Sequence, residues 1–195
     1  MSALTEIGNL LIQTFVTLYL TIVLLRFLLQ LVRADFYNPV SQALVKATAP
    51  VLKPLRRIIP GLFGIDIAGL VLAIVVQMLG MVLMLLINGY GLLNPLYMLV
   101  WSVLGCIGVV IYIFYAAIIV SIIVSWVAPG TYNPIVLLLH QLTEPVMAPF
   151  RRILPPLGGL DLSPIFVFLL LNVLQIILHH TATAVMLPPQ LVVGI

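Results

Sequence analysis

Residues 125–164 read SWVAPGTYNPIVLLLHQLTEPVMAPFRRILPPLGGLDLSP and form a long interruption in an otherwise apolar chain. The same pattern occurs 95 residues earlier, where 15 of the 30 positions from Tyr37 to Asp66 are identical to their counterparts in residues 132–161. A match of this length at a fixed offset indicates an internal duplication. The sequence therefore divides into a first repeat, residues 1–94, and a second repeat, residues 95–195.

Composition places the duplicated chain in a lipid bilayer. Its 195 residues are 64% hydrophobic and 7% charged, with a mean hydropathy of +1.31. A water-soluble core of this size cannot bury so much apolar surface. The net charge is +3, but the basic residues are spread over two loops, which is typical of membrane topology rather than of a nucleic-acid interface. We expect no direct nucleic-acid partner, and the single cysteine excludes an intrachain disulfide.

Four apolar stretches predict transmembrane helices at about residues 8–32, 67–87, 96–127 and 164–186. At 1.5 Å per residue even the shortest reaches about 32 Å, enough to cross the hydrocarbon. No basic residue precedes the first apolar run, so we expect the first span to be retained rather than cleaved as a signal peptide.

Basic residues predict the orientation of these spans. Seven lie in the two long loops and none lies on the opposite side, apart from Arg26 inside the first span; the seven are Arg33, Lys46, Lys53, Arg56, Arg57, Arg151 and Arg152. The positive-inside bias places both loops in the cytoplasm and both termini outside, in the periplasm of a cell inner membrane. The two repeats then point the same way, as parallel repeats.

Each long loop contains a segment too short to cross, residues 38–59 and 133–154. An Asn-Pro pair predicts the start of a helix, and two later prolines predict a break into two short pieces that end at an Arg-Arg pair. We expect these broken amphipathic helices to lie in the interface with their apolar side toward lipid, a shallow re-entrant hairpin being the alternative. The residues that define the frame are Asn38, Pro39, Pro54, Pro60, Asn133, Pro134, Pro145, Pro149, Pro155 and Gly159.

The second loop, NPIVLLLHQLTEPVMAPFRRILPPLGGLDLSP, resembles the signature of the YggT family of small bacterial membrane proteins, which has YlmG-type relatives in cyanobacteria and plastids. The first copy departs from it with Ala49 in place of Glu144 and Ala68-Gly69 in place of Ser163-Pro164. The resemblance implies links to osmotic-stress tolerance and ion uptake in bacteria, and to cytochrome b6f haem assembly and nucleoid organisation in plastids. It supplies no catalytic residue.

The two arginine pairs are the main candidate binding residues. Arg56, Arg57, Arg151 and Arg152, with Lys53, predict a double site for anionic lipid headgroups or an acidic protein surface. Topological anchoring is the simpler explanation, since it needs only the charge. The repeated Pro-x-Arg-Arg-Ile-x-Pro spacing favours the specific site, because anchoring would tolerate lysine and looser spacing.

Acidic residues border the spans that follow each loop. We expect Asp66 and Asp161 to favour the positive helix end or to pair with an arginine of the preceding turn, and Ser163-Pro164 to supply the cap of the fourth span. Glu144 is interpreted either as a first-turn acid behind a Thr143 cap or as a proton or cation ligand. The second possibility cannot be two-fold symmetric, because the first repeat has Ala49 there.

The remaining polar residues predict no metal, cofactor or catalytic centre. Adjacent His179 and His180 point about 100° apart on a helix and cannot chelate together. Arg26 is expected to snorkel or to make an interior polar contact, and Cys106 between Gly105 and Gly108 indicates close helix packing.

We therefore expect an all-α, four-span membrane protein that is not an enzyme. A scaffold or assembly factor that engages lipid and a partner protein is the favoured role. An ion-uptake or channel component is the alternative, for which a homo-oligomer could gather the scattered polar residues of the spans.

Overall fold

The computed structural model describes residues 3–62, 64–127, 133–153 and 161–195. Within these ranges the chain is all-helical and has no β-strand, which confirms the predicted fold class. Six α-helices follow one another before a short 3-10 turn at Pro189–Leu191: α1 Ala3–Leu31, α2 Pro39–Ile58, α3 Ile67–Ile87, α4 Pro95–Val127, α5 Pro134–Ile153 and α6 Ser163–Ala184.

Four of the described helices, α1, α3, α4 and α6, are long and apolar enough to cross a membrane. They contain 29, 21, 33 and 22 residues, and each includes an 18-residue stretch with a mean hydropathy between 1.9 and 2.9. α1 packs most extensively on α3, and α4 contacts α1, α3 and α6. The four helices therefore form one bundle in which α4 joins the two repeats.

The loop helices α2 and α5 occupy equivalent positions in the two repeats. Both contain 20 residues, and the 95-residue offset superposes their boundaries without a shift. Each begins at the predicted Asn-Pro pair and ends just after the Arg-Arg pair, so the tandem repeat is present in the structure as well as in the sequence.

The prediction that prolines break these segments is wrong. α2 continues through Pro50 and Pro54, and α5 continues through Pro145 and Pro149. Each proline removes one N–H donor and crowds the carbonyl four residues earlier. The two prolines of each helix are four residues apart, hence on one face, and all four are exposed. Because the freed carbonyls lie on this exposed side, the rest of each helix keeps its hydrogen bonds.

The contacts of α2 show that it lies across the end of the bundle. Near its start, the Ser41 hydroxyl donates to the Asp35 carbonyl. In its middle, Thr48 accepts from Arg26, and at its end Arg56 donates to Gln30. A helix of 20 residues is about 30 Å long, so a helix aligned with α1 would contact a stretch of similar length. These contacts instead fall within residues 26–35, which are the end of α1 and the four residues that follow it.

The apolar stripe of each loop helix faces protein rather than lipid, which corrects the orientation expected from sequence. In α2 the buried residues are Ser41, Leu44, Thr48 and Leu52, and in α5 they are Leu138, Leu142, Thr143 and Met147. Leu44 and Leu52 belong to the same core cluster as Leu24 and Leu28 of α1. Bundle side chains therefore cover the stripe, and the outward face carries the prolines and basic residues.

Candidate functional site

The first Arg-Asp pair joins the end of α2 to the start of α3. Arg56 donates from Nη2 to Asp66 Oδ2 at 2.6 Å and from Nε to Oδ1 at 3.2 Å. Asp66 is only 5% exposed, whereas the Arg56 side chain is 38% exposed. Such a two-bond fork is the geometry in which arginine holds a carboxylate most firmly. It fixes the loop between α2 and α3.

The second repeat contains the equivalent ion pair. Arg151 Nε lies 2.9 Å from Asp161 Oδ2, and Asp161 is 42% exposed. Asp161 Oδ1 also accepts a hydrogen bond from the Ser163 backbone N–H at 2.9 Å. Burial acts to raise the pKa of the Asp161 carboxyl, but hydrogen bonds from Ser163 and Arg151 outweigh it, so that this pKa lies below its ordinary value.

This contact corrects the predicted cap of the fourth span. Ser163 is the first residue of α6 with Pro164 after it, and the preceding residue, Leu162, makes no side-chain cap hydrogen bond. Asp161 instead accepts the hydrogen bond of the Ser163 N–H.

The second partner of the aspartate-bound arginine differs between the repeats. Glu144 Oε2 lies 2.5 Å from Arg151 Nη1, whereas Arg56 Nη2 donates to Gln30 Oε1 at 3.1 Å. Glu144 lies within α5 rather than in a first turn, and Thr143 is no cap, because its hydroxyl donates to the Leu139 carbonyl in mid-helix. Glu144 therefore binds Arg151 in the second repeat, where Gln30 of α1 binds the equivalent Arg56 in the first.

The second arginine of each pair remains available. Arg57 and Arg152 are exposed and, with Lys53, make no ion pair or hydrogen bond to any residue that the structure describes. Each arginine is followed by an exposed isoleucine, Ile58 at 79% and Ile153 at 75%. Of the five predicted binding residues, Arg56 and Arg151 are engaged within the chain and the other three face outward.

The asparagines at the helix starts cap the loop helices and connect them. Asn38 Oδ1 accepts from Val40 N–H at 3.0 Å, and Asn133 Oδ1 accepts from Ile135 N–H at 2.9 Å. Asn38 Nδ2 also donates to the Pro134 carbonyl at 2.6 Å. Pro39 and Pro134 are the first helical residues, and Pro60 is exposed just beyond α2. Pro155 and Gly159 lie outside the described residues.

Arg26 is buried, at 6% exposure, and makes an interior contact instead of snorkelling. It donates from Nη1 to the hydroxyl of Thr48, which itself donates to the Leu44 carbonyl at 2.8 Å. The second repeat has Ser121 at the position equivalent to Arg26, so the arginine of this link between α1 and the middle of α2 is specific to the first repeat.

A cleft of about 510 Å³ lies between α1 and α4. Its α1 wall carries Gln13, Thr17 and Thr21 at a spacing of four residues, and its α4 wall carries Tyr112. Residues 188–195, here called the return segment, close part of it, and Gln13 Nε2 donates to the Gln190 carbonyl at 2.9 Å. The Gly105/Gly108 pair, predicted to mark close helix packing, contacts the return segment, and no local sequence pattern predicts that contact.

His179 and His180 are exposed on α6 and line a shallow cleft with Thr183. Over the described ranges, no three His, Cys, Asp or Glu residues are placed to share a metal ion.

Comparison with known protein families matches each of the two repeats separately. A model of the CCB3/YggT family matches residues 5–87 and again residues 100–182. No solved structure matches the chain.

Bacterial relatives resemble most of the chain. "Uncharacterized protein PA0392" of Pseudomonas aeruginosa is 51% identical over 182 residues, which is 92% of each chain. "Uncharacterized protein YggT" of Escherichia coli K12 is 38% identical over 166 residues, or 85% of each chain. "YlmG homolog protein 2, chloroplastic" of Arabidopsis thaliana is 39% identical over 82 residues, 40% of this chain and 29% of the relative.

Proposed function

The chain belongs to the CCB3/YggT family, and on that premise we propose that it is a non-enzymatic membrane scaffold or assembly factor. Its docking surface consists of Arg57 with Ile58, Arg152 with Ile153, and Lys53. This surface engages anionic lipid headgroups and, beside them, an acidic surface of a protein partner.

The difference in contacts between the two arginines of each pair supports this proposal. Arg56 and Arg151 are occupied by carboxylates, so they anchor the loops rather than bind a ligand. Arg57 and Arg152 are exposed next to exposed isoleucines. A cation beside an outward apolar side chain suits the boundary between phosphates and acyl chains, and each such cation contributes about 1 kcal/mol near an anionic membrane.

The proposed location is the inner, or plasma, membrane of a bacterial cell, with the docking surface in the cytoplasm. The seven loop cations support this orientation, because none of the basic residues lies in the opposite turn or in either end of the sequence. The proposed surface then faces the leaflet and the compartment in which anionic lipids attract basic residues.

Lipid retention measured by native mass spectrometry tests the lipid half of the proposal. The purified R57Q/R152Q variant should hold phosphatidylglycerol less tightly than the unmodified protein, by about fivefold per cation removed. The matched control is R33Q/K46Q, which removes two exposed cations from the same side but leaves the docking surface intact. Equal weakening in both variants would show a general charge effect and overturn the specific site.

The R57K/R152K variant tests the proposed binding of a protein partner. Lysine preserves the charge but not the planar fork that binds a carboxylate with two hydrogen bonds. Lipid retention should therefore persist, while crosslinking to an acidic partner from the same membranes should fall. Unchanged crosslinking would contradict arginine-specific docking and leave lipid anchoring as the role of these residues.

A second candidate function, ion uptake that contributes to osmotic tolerance, is favoured by the cleft between α1 and α4. Its walls present the oxygen-bearing side chains of Gln13, Thr17, Thr21 and Tyr112 within the bundle, and a conduction route requires such groups. Potassium flux into proteoliposomes containing the purified protein tests this candidate. Flux no higher than in protein-free liposomes would remove it.

A further inference from the structure

The return segment enters the bundle from the end of α6 and reaches the middle of a membrane span. The Gln77 side chain donates from Nε2 to the Val193 carbonyl at 3.1 Å. Gln77 is the central residue of α3, which runs from Ile67 to Ile87. Since α3 is long enough to cross the hydrocarbon, Val193 lies near the middle of the bilayer.

Close backbone packing holds the return segment against α4. A Cβ atom on Gly108 would lie 1.9 Å from the Gly194 carbonyl oxygen, and one on Gly105 would lie 2.5 Å from a Val192 methyl group. Gly194 adopts a φ of +99°, where a side chain would be strained and would meet the Gly105 carbonyl at 2.5 Å. Gly105 and Gly108 thus form a seat on α4 into which the return segment fits at Gly194.

The polar groups of this seat are incompletely paired. The backbone N–H groups of Val193 and Gly194 donate to no acceptor among the residues that the structure describes. Gln77 is 1% exposed, and its Oε1 has no partner within the same ranges. Irregular backbone at membrane depth is tolerated where it is buried in protein or lines a water-filled cavity. Val193 and Gly194 line the cleft beside α1, so water in that cleft would satisfy their N–H groups.

We propose that the return segment is a plug that closes part of the hydrated cleft between α1 and α4. Two glutamine amides hold it, Gln13 through the Gln190 carbonyl and Gln77 through the Val193 carbonyl. These are two ordinary hydrogen bonds supported by glycine contacts, without a covalent link, so the plug is reversible.

The cleft lining defines the class of solute. The side chains that it presents are an amide, hydroxyls and apolar groups, with no charged side chain among the described lining residues. Neutral oxygen dipoles suit water, small neutral polar solutes and monovalent cations, whereas anions and multivalent ions lack the opposite charge that would offset their dehydration. The plug controls access of this class from the side on which α1 begins.

Cysteine accessibility tests the plug without relying on transport or on lipid docking. In a Cys106→Ser background, Thr21→Cys places a thiol on the cleft wall, and a charged trimethylammonium methanethiosulfonate reagent is added from the side on which α1 begins. Labelling should be slow in the full chain. It should rise on the order of tenfold or more when the chain ends at Leu187, because the charged reagent then reaches the thiolate through the part of the cleft that the segment occupied.

Two further variants keep the test decisive. Gly194→Val retains the segment but removes its fit, so it should accelerate labelling of Thr21→Cys in the same way. The matched control is Leu18→Cys, one turn away and outward-facing at 58% exposure, where neither change should matter. Fast labelling in the full chain, or equal rates with and without the segment, would overturn the plug. If neither variant yields a monodisperse protein, the segment is a required structural element, which also overturns it.

Discussion

At the scale of single residues, neighbouring arginines have different tasks. Adjacent residues of a helix point about 100° apart, so Arg56 faces Asp66 while Arg57 faces outward. Arg151 and Arg152 repeat this division. One member of each pair stabilises the fold, and the other is available for a ligand.

Asp66 and Asp161 should differ in their contribution to stability. Asp66→Asn leaves Arg56 facing a buried neutral amide and should cost roughly 2 kcal/mol, the range for a hydrogen bond to a charged group. Asp161→Asn should cost about 0–1 kcal/mol, because that carboxylate is 42% exposed. Thermal unfolding of the two variants in one detergent measures the difference. An equal or reversed order would contradict the role of burial.

At the scale of elements, α2 and α5 begin and end at equivalent positions of the two repeats, but they make different contacts. Both begin with an asparagine whose side chain accepts from the N–H two residues later. Among the residues that the structure describes, only Asn38 also donates to the other repeat, at the Pro134 carbonyl. The first cap thus belongs to a contact between the two loop helices.

Replacing Asn38 or Asn133 with alanine separates the stability due to capping from that due to the Asn38–Pro134 hydrogen bond. Asn133→Ala should lose about 1 kcal/mol, the usual value of an N-cap. Asn38→Ala should lose about 1 kcal/mol more, because a buried hydrogen bond is lost as well. Chemical denaturation of both variants gives the comparison, and equal losses would show that the Asn38–Pro134 bond contributes nothing to stability.

Sequence predicted the spans and the limits of α2 and α5 well, because hydropathy, the duplicated frame and the Asn-Pro starts are local signals. It failed on the prolines, since their spacing of four residues places both on one exposed face and the helix survives. It also could not predict which arginine of each pair binds an aspartate, or that the return segment packs inside the bundle. Both depend on contacts between distant parts of the chain, such as Gln77 with Val193.

At the scale of the whole molecule, the two repeats and the loop cations predict one orientation. A cysteine replacing Tyr90, in the turn after α3, should react with an impermeant maleimide added to intact spheroplasts. A cysteine replacing Arg57 should react only after the membrane is opened. Both measurements use a Cys106→Ser background, and the reverse pattern would invert the proposed topology.

Hydrogen bonds between the repeats have a consequence for how the two halves can be combined. The Asp35 N–H donates to Gln141 at 3.0 Å, and the residue equivalent to Gln141 in the first half is Lys46. An ammonium group offers no acceptor, so two identical first halves assembled as a homodimer would lose this bond. The duplicated halves have become complementary parts with a fixed order, and a chimera built from one half alone would not reproduce their junction.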